Sequence, residues 1–376
     1  MERVLIKKCK SYDLQEVSQS VEFLLEGMGG IKELVKPGQL VAVKPNLIAR
    51  KKPEGAATTH PALVEAVVRA VLQAGGKPVI CDSPGGPYTR GLLKMIYNET
   101  GMTEVARKTG AELNYDTGEE VMQYPGGKSY KSFPIIRPLA RADVIIGLPK
   151  LKTHGMTTFT GAVKLFYGSL PGLTKAQYHF NLQRLEDFSN LLVDLVDLLK
   201  PGLSIMDGIW GMEGDGPVSG SQRFNGALLA GSNPFAVDAV SCRMIGIDPQ
   251  KISHLTLAVK RGLVADLNSI EAEGDGFQEL DPPFKLPGHK NIDFNLPPFA
   301  KNMLGRWFQP RPVFSQEICA GCGDCARACP AGAIEIKNKK AGVDLEKCIR
   351  CYCCQEMCLP KAISVHQWWL AKKFLR

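Results

Sequence analysis

The sequence contains no uncharged apolar stretch approaching twenty residues; the nearest, 190–199, is broken by Asp194 and Asp197. That excludes a membrane-spanning helix of ordinary length. No apolar leader opens the chain either, because Met1-Glu-Arg-Val-Leu runs straight to Lys7 and Lys8, so the expected location is cytoplasmic. No run of lysine or arginine is long enough to argue for nucleic acid as a partner. No Gly-x-Gly-x-x-Gly follows an apolar strand, and the Walker loop, the Gly-x-Ser-x-Gly elbow and the three-cysteine motif of radical enzymes are missing. The usual dinucleotide, nucleoside-triphosphate and serine-hydrolase chemistries are therefore unsupported. What remains is a 376-residue chain with 44% hydrophobic residues and a mean hydropathy of −0.07. It has room for two or three globular domains.

Against these absences stand twelve cysteines. Cys319-x2-Cys322-x2-Cys325-x3-Cys329-Pro330 is followed, after eighteen residues, by Cys348-x2-Cys351-x2-Cys354-x3-Cys358. Eight cysteines in two runs of one spacing are the ligand set of two [4Fe–4S] clusters, the fourth of each run binding the other run's cluster. Cys319, Cys322, Cys325 and Cys358 are thus assigned to one cluster, and Cys348, Cys351, Cys354 and Cys329 to the other. The crossed ligands tie together two halves of a unit too small to bury much apolar core. Ile334 and Ile336 follow Cys329 by five and seven positions, as Ile363 and Val365 follow Cys358; they read as short strands closing each half. Zinc sites use two cysteine pairs and no trailing x3, and a disulfide framework suits a short secreted chain. Cys353 is a ninth cysteine between two ligands, and using it would break the x2 spacing. This block resembles the bacterial two-cluster ferredoxins over residues 313–366. One departure is Leu359, which separates Cys358 from Pro360 where Pro330 directly follows Cys329. Clusters of this kind fit a reducing, anaerobic cell, and their negative charge offsets much of the formal net charge of +8. The remaining basic surface favours an acidic redox partner protein or an anionic substrate.

Residues 1–265 alternate strand-like and helix-like signals, the pattern of an α/β domain with a mostly parallel sheet and flanking helices. Strands are expected at 41–45, 78–82, 143–148, 203–207 and 226–230. Helices are expected from Pro61, with Thr59 or His60 at the cap, over 185–200, and from Pro234. Residues 266–312 are proline-rich and form an expected connector anchored by Phe294, Phe299, Trp307 and Phe308. The C-terminal part, 313–366, is a second, α+β unit of ferredoxin type. For the tail, 367–376, two readings stand: an amphipathic helix touching a membrane surface or partner, or Trp368, Trp369 and Phe374 packed back on the body.

The expected strand ends of the α/β body are unusually polar. Lys44 and Asn46 follow the first, Asp82 and Ser83 the second, and Lys150, Lys152 and His154 the third; Asp207 ends the fourth, before Glu213 and Asp215 in a glycine-rich loop at 208–220. Ligands of open α/β sheets lie beyond the carboxyl ends of the strands, so these groups are expected to share one crevice, with His60, Lys164 and Asp238 on helices opening from the same rim. Lysines there would hold a carboxylate or phosphate. The histidines and aspartates would serve as acid and base, or bind a divalent metal.

Lys44-Pro-Asn46, Thr59-His60-Pro61, Asp82-Ser-Pro-Gly-Gly86, Leu148-Pro-Lys-Leu-Lys-Thr-His154, Thr160-Gly-Ala-Val-Lys164 and Asp207-Gly-Ile…Glu213-Gly-Asp-Gly-Pro217 together resemble the domain-of-unknown-function family 362. The resemblance covers about residues 40–265 and implies the α/β body fused to a two-cluster ferredoxin. Lys164-Leu165 stands where that family commonly has Lys-Asn, and Asn233-Pro234 where it commonly has Asp-Pro. The resemblance implies an architecture and no reaction.

Three functions remain open. The first is an iron–sulfur oxidoreductase passing electrons to a small anionic substrate, or a second cofactor such as flavin, in the α/β body. The catalytic set would be Lys150, Lys152, His154, His60 and Asp82, with Lys44, Asn46, Lys164, Asp207 and Asp215 binding the cofactor. The second is an electron-transfer or accessory protein docking a partner enzyme. The third is a non-redox, metal-assisted enzyme with structural clusters. Oligomeric state is not legible from the sequence.

Overall fold

A computed structural model describes residues 2–288 and 309–367. The expected connector anchors Phe294, Phe299, Trp307 and Phe308, and the tail aromatics Trp368, Trp369 and Phe374, lie outside the described residues.

One sheet organises the body. Its strands are β1 (Arg3–Lys8), β2 (Leu40–Pro45), β3 (Lys77–Ile80) and β4 (Glu112–Leu113); then, after a separate ribbon of β5 (Glu119–Gln123) and β6 (Ser132–Ile136), β7 (Val144–Leu148), β8 (Lys150–His154), β9 (Thr158–Thr160), β10 (Leu203–Glu213), β11 (Ser221–Gly231) and β12 (Glu271–Gly274). Their order is β12-β1-β11-β10-β7-β2-β3-β4, with β8 pairing to both β10 and β9. From β10 through β7, β2 and β3 to β4 the pairing is parallel, and β11 enters antiparallel between β10 and β1.

Neighbouring residues of one strand face opposite sides of a sheet, and two apolar cores show this directly. Ala42, Ile145 and Met206 enter the core built with the helices Leu185–Leu199 and Pro234–Met244. Val41, Val43, Ile146 and Ile205 enter the other, with Leu14–Gly27 and Pro61–Gln73. Helices on both faces explain why the central strands are continuous apolar runs. The helix at Pro61 begins as its sequence requires: proline takes the first turn and the His60 ring accepts the Ala62 N–H at 3.2 Å.

Two expected loops are strands instead. Asp207 does not end its strand; β10 runs on to Glu213 and pairs with β11, leaving only 214–220 between them. Ile209 and Met212 are buried there, so the apolar pattern continues through the glycines that mimic a loop. Lys150, Lys152 and His154 likewise sit in β8, all of whose residues are buried. Pro149, which has no N–H to offer a ladder, separates β8 from β7.

In the C-terminal part β13 (Arg311–Phe314) pairs with β16 (Ile363–His366), and β14 (Ile334–Lys337) with β15 (Lys340–Val343). Ile334, Ile336, Ile363 and Val365 lie on β14 and β16 as their spacing predicts. The two cysteine runs share a backbone. Gly332 and Lys361, each three residues past the last cysteine of its run, have φ of 58° and 57°. The turn with the extra Leu359 therefore keeps the same left-handed residue, although only the first run fills it with glycine.

Candidate functional site

A cavity of about 100 Å³ opens where β2, β3 and β8 end. Lys44 and Asn46 follow β2 into it, Asp82, Ser83 and Gly85 come from the loop after β3, and β8 supplies Lys152. Thr160, Lys164, Tyr167, Lys175 and His179 line another wall, and Cys353, Glu356 and Met357 close it from the short helix Cys353–Met357 of the cysteine-rich part. The site is thus built by both parts of the chain. Their contact is tight: a Cβ on Gly85 would lie 2.5 Å from Met357 Sδ, and Lys51 Nζ donates to the Leu359 carbonyl at 3.1 Å.

Lysine is rarely buried unless paired, and most of these are. Lys44, at 0% exposure, pairs with Asp82 Oδ1, whose other oxygen accepts the Leu47 N–H at 2.9 Å. Gly168 lets backbone approach this pair, since a Cβ there would lie 2.7 Å from Lys44 Nζ. Lys152 donates to Asn46 Oδ1 at 3.0 Å and to the Ala57 carbonyl at 2.6 Å. Lys175 donates to Ser83 Oγ at 2.7 Å and to the Ser83 and Leu170 carbonyls, each at 2.9 Å. Burial, with the Lys164 charge second, pushes Lys152 down to about 7. Burial likewise takes Lys175 to about 7. Both ammonium groups are held close to deprotonation at neutral pH.

His154, expected in the crevice, does not line the cavity but lies buried behind Glu356, which does. The N–H groups of Met156 and Thr157 donate to its Nδ1 at 3.0 and 3.3 Å, so the neutral ring carries its proton on Nε2. Nε2 lies 3.3 Å from Glu356 Oε1, without the alignment of a full hydrogen bond. Burial lowers His154 to about 4. Burial alone would raise the Glu356 carboxyl, but His154 and the Lys164 ammonium outweigh it and bring it to about 2. At neutral pH the contact is a neutral imidazole beside a carboxylate.

Three expected members of the crevice form a separate cluster. Lys150 Nζ donates to Asp207 Oδ2 at 2.9 Å and to Tyr12 Oη at 2.7 Å, and Tyr12 donates to Asp207 Oδ1 at 2.7 Å. The His60 N–H donates to Asp207 Oδ2 at 2.9 Å, while its ring stacks on Tyr12 with centroids 3.6 Å apart. None of these residues lines the cavity. The reason lies in the ladder. Lys150 pairs with Asp207, but Lys152 pairs with Met212, so an irregularity in β10 parts two lysines that a regular strand would keep together. Asp215 is exposed and accepts the Gly288 N–H at 3.0 Å, away from the cavity. Asp238 caps the helix Ala162–Leu165, accepting from Ala162 and Val163 N–H groups. Glu213 pairs with Arg223 at 3.1 Å.

Tyr12, Tyr167, Lys175, His179 and Glu356 were not expected. Lys175 and His179 lie on the helix Thr174–Asn181, remote in sequence from any strand end. Glu356 is hidden inside a cysteine motif, although its three-residue spacing from Cys353 on one helix is the signal that places both on a shared face.

Two smaller cavities hold the spaced cysteines. Cys319, Cys322, Cys325 and Cys358 line one, and Cys329, Cys348, Cys351 and Cys354 line the other. Backbone N–H groups point at the sulfurs in matching positions, Ala333 to Cys329 at 3.3 Å and Ala362 to Cys358 at 3.2 Å, an arrangement that favours thiolates. Cys353 lines neither cavity and belongs to the larger one. Among the described residues no three His, Cys, Asp or Glu side chains are grouped to hold a single metal ion.

Residues 41–243, more than half of the chain, match the family described as a domain of unknown function, DUF362. The chain belongs to that family. The DUF362 span takes in the body's cavity residues from Lys44 to His179 and the Lys150–Asp207 pair. Residues 311–359 match a 4Fe-4S dicluster domain and include all eight spaced cysteines; this part is an iron–sulfur, ferredoxin-type electron-transfer domain. The chain is 34% identical over 268 residues to a thylakoid-associated protein of Synechocystis sp., covering 69% of this chain and 79% of that protein. Shorter matches are to the pyruvate synthase subunit PorD of Methanocaldococcus jannaschii, 37% identical over 17% of this chain and 76% of that subunit, and to a subunit of the ion-translocating oxidoreductase complex of Methanosarcina acetivorans, 45% identical over 12% of this chain and 18% of that subunit. Among the described residues no helix is long and apolar enough to cross a membrane.

Proposed function

We propose that this DUF362 chain is an iron–sulfur oxidoreductase in which a small anionic substrate occupies the cavity between the two parts. One observation carries the reading: the helix that brings Cys353, Glu356 and Met357 into the cavity also bears Cys354. The crossed cysteine sets fit two [4Fe–4S] clusters, which when bound would supply one-electron transfer. The set of Cys329, Cys348, Cys351 and Cys354 is the one adjoining the substrate. The other set includes the exposed Cys322, where a redox partner protein would dock. Several relatives are named as subunits of larger redox assemblies, which supports such a partner. An exposed cluster requires a reducing compartment, here the cytoplasm.

The chain's own groups have distinct tasks. Asp82 offsets the charge of Lys44, and Lys152, fixed by Asn46, and Lys175 make the cavity positive in their ammonium forms. His154 holds a proton at Nε2 beside Glu356 at the cavity wall. The docked cysteine helix forms one wall of the cavity. A cavity of about 100 Å³ has room for roughly seven to ten water-sized groups, which suits a small ligand.

The test is anaerobic. Reduced protein is offered small carboxylates and oxyanions, and reoxidation is followed in the visible spectrum. Reoxidation by one class, with matching product, supports the reading. Reducible clusters indifferent to every small anion, but quickly reoxidised by a protein partner, would favour an electron-transfer role instead.

A further inference from the structure

The four cavity lysines are not equivalent. Lys44 has Asp82, Lys152 has Asn46 and the Ala57 carbonyl, and Lys175 has Ser83 and the Leu170 carbonyl. Lys164 has no hydrogen-bond acceptor or ion-pair partner among the described residues; its aromatic neighbour is Tyr167, whose ring centroid lies 5.6 Å from Nζ. Two further cavity residues carry buried polar atoms without partners, Thr160 Oγ1 and His179 Nδ1, with the residues only 3% and 5% exposed. Leaving two buried atoms unmatched is costly, and with the half-buried Lys164 ammonium beside the same cavity they point to a missing ligand.

The surroundings specify its chemistry. Four lysines face two carboxylates, Asp82 and Glu356, around the cavity, so an anion is favoured. Glu356 already presents a carboxylate to this wall, beside His154 and within the electrostatic reach of Lys164. The same two carboxylates would repel a compact dianion, and the cavity suits a small ligand. We propose that Lys164, with Thr160 and His179, seats the carboxylate of a small monocarboxylate substrate, and that Glu356 competes for the same ammonium. This rests on the reading of the cavity as an anion site and names the anchor and ligand class within it.

The test is calorimetric titration of sodium acetate and sodium sulfate into oxidised, cluster-loaded protein. Lys164→Met should weaken acetate binding by about 10- to 150-fold, the worth of one charge-assisted hydrogen bond. Thr160→Val, nearly isosteric, should weaken it by a smaller factor and carries the test should Lys164→Met fail to fold. Lys285→Ala, at an exposed lysine outside the cavity, should leave it unchanged. If wild type binds acetate and both cavity variants bind equally well, the anchor is wrong while the anion site stands. Preference for sulfate overturns the monocarboxylate class. If wild type binds neither anion, the anchor and the anion site both fall.

Discussion

His154 on β8 and Glu356 on the cysteine helix face each other across the two parts of the chain, Nε2 to Oε1 at 3.3 Å, with the His154 side chain only 3% exposed. A carboxylate from the electron-transfer domain is thereby inserted into the lysine-lined wall of the body. The contact fixes where the two parts meet and places a competitor for any anionic ligand.

Glu356→Gln keeps the shape and removes that charge. Acetate affinity should rise by several-fold, because Lys164 loses its nearby counter-charge. Iron content should not change, since Glu356 is not a cluster ligand. Calorimetry and iron analysis check the two parts of this expectation; an unchanged affinity would mean the carboxylate does not compete.

The buried pair Lys150–Asp207 braces β8 against β10 with 0% exposure of both side chains. Removing one partner strands a buried charge, so Asp207→Leu should destabilise the protein by about 3–5 kcal/mol. Lys150→Met combined with Asp207→Leu should recover most of that loss. Denaturant unfolding of the body measures both. A Lys150→Met protein of normal stability but lost acetate binding would put Lys150 back in the binding site.

Affinity should depend on pH in a stated direction. Lys152 and Lys175 are both brought to about 7 by burial. Their ammonium forms, which attract an anion, are fully present below that value and are lost as pH rises through it. Acetate binding should therefore be strongest below pH 7 and weaken by up to roughly tenfold per pH unit per lysine above it. Titration in buffers of different ionisation enthalpy should show proton uptake on binding near pH 7–8. Affinity that holds constant from pH 6 to 9 would mean both lysines stay charged throughout.

The cysteine sets make a separable prediction. Anaerobic protein should carry about eight irons and about eight labile sulfides per chain. Cys353→Ser should leave that count unchanged, because Cys353 lines the substrate cavity instead. Cys329→Ser should damage the cluster shared with Cys348, Cys351 and Cys354 and spare the other.

Much of this arrangement was legible because its signals are local. The cysteine spacing, the apolar runs of β2 and β7 and the proline-started helix after His60 each specify their element within a few residues. Lys44, Asn46, Asp82, Lys152 and Lys164 could be gathered at one rim because parallel strands bring their carboxyl ends together. What escaped depends on pairing across long separations. Nothing near Lys150 announces that β10 will slip in register and leave that lysine with Asp207 and Tyr12. The glycines at 208 and 211 read as a loop until β11 is there to pair with them. Glu356, Lys175 and His179 reach the cavity only through docking of distant helices, which no local pattern encodes.

The most direct test of electron delivery to the cavity is the electron paramagnetic resonance spectrum of the reduced protein with and without acetate. Cys329→Ser identifies which signal belongs to the cluster nearer Cys353. The account predicts that acetate perturbs that signal and leaves the other in place. Acetate that binds tightly while both signals stay unchanged would contradict it, because the ligand would then sit out of contact with the electron-transfer domain.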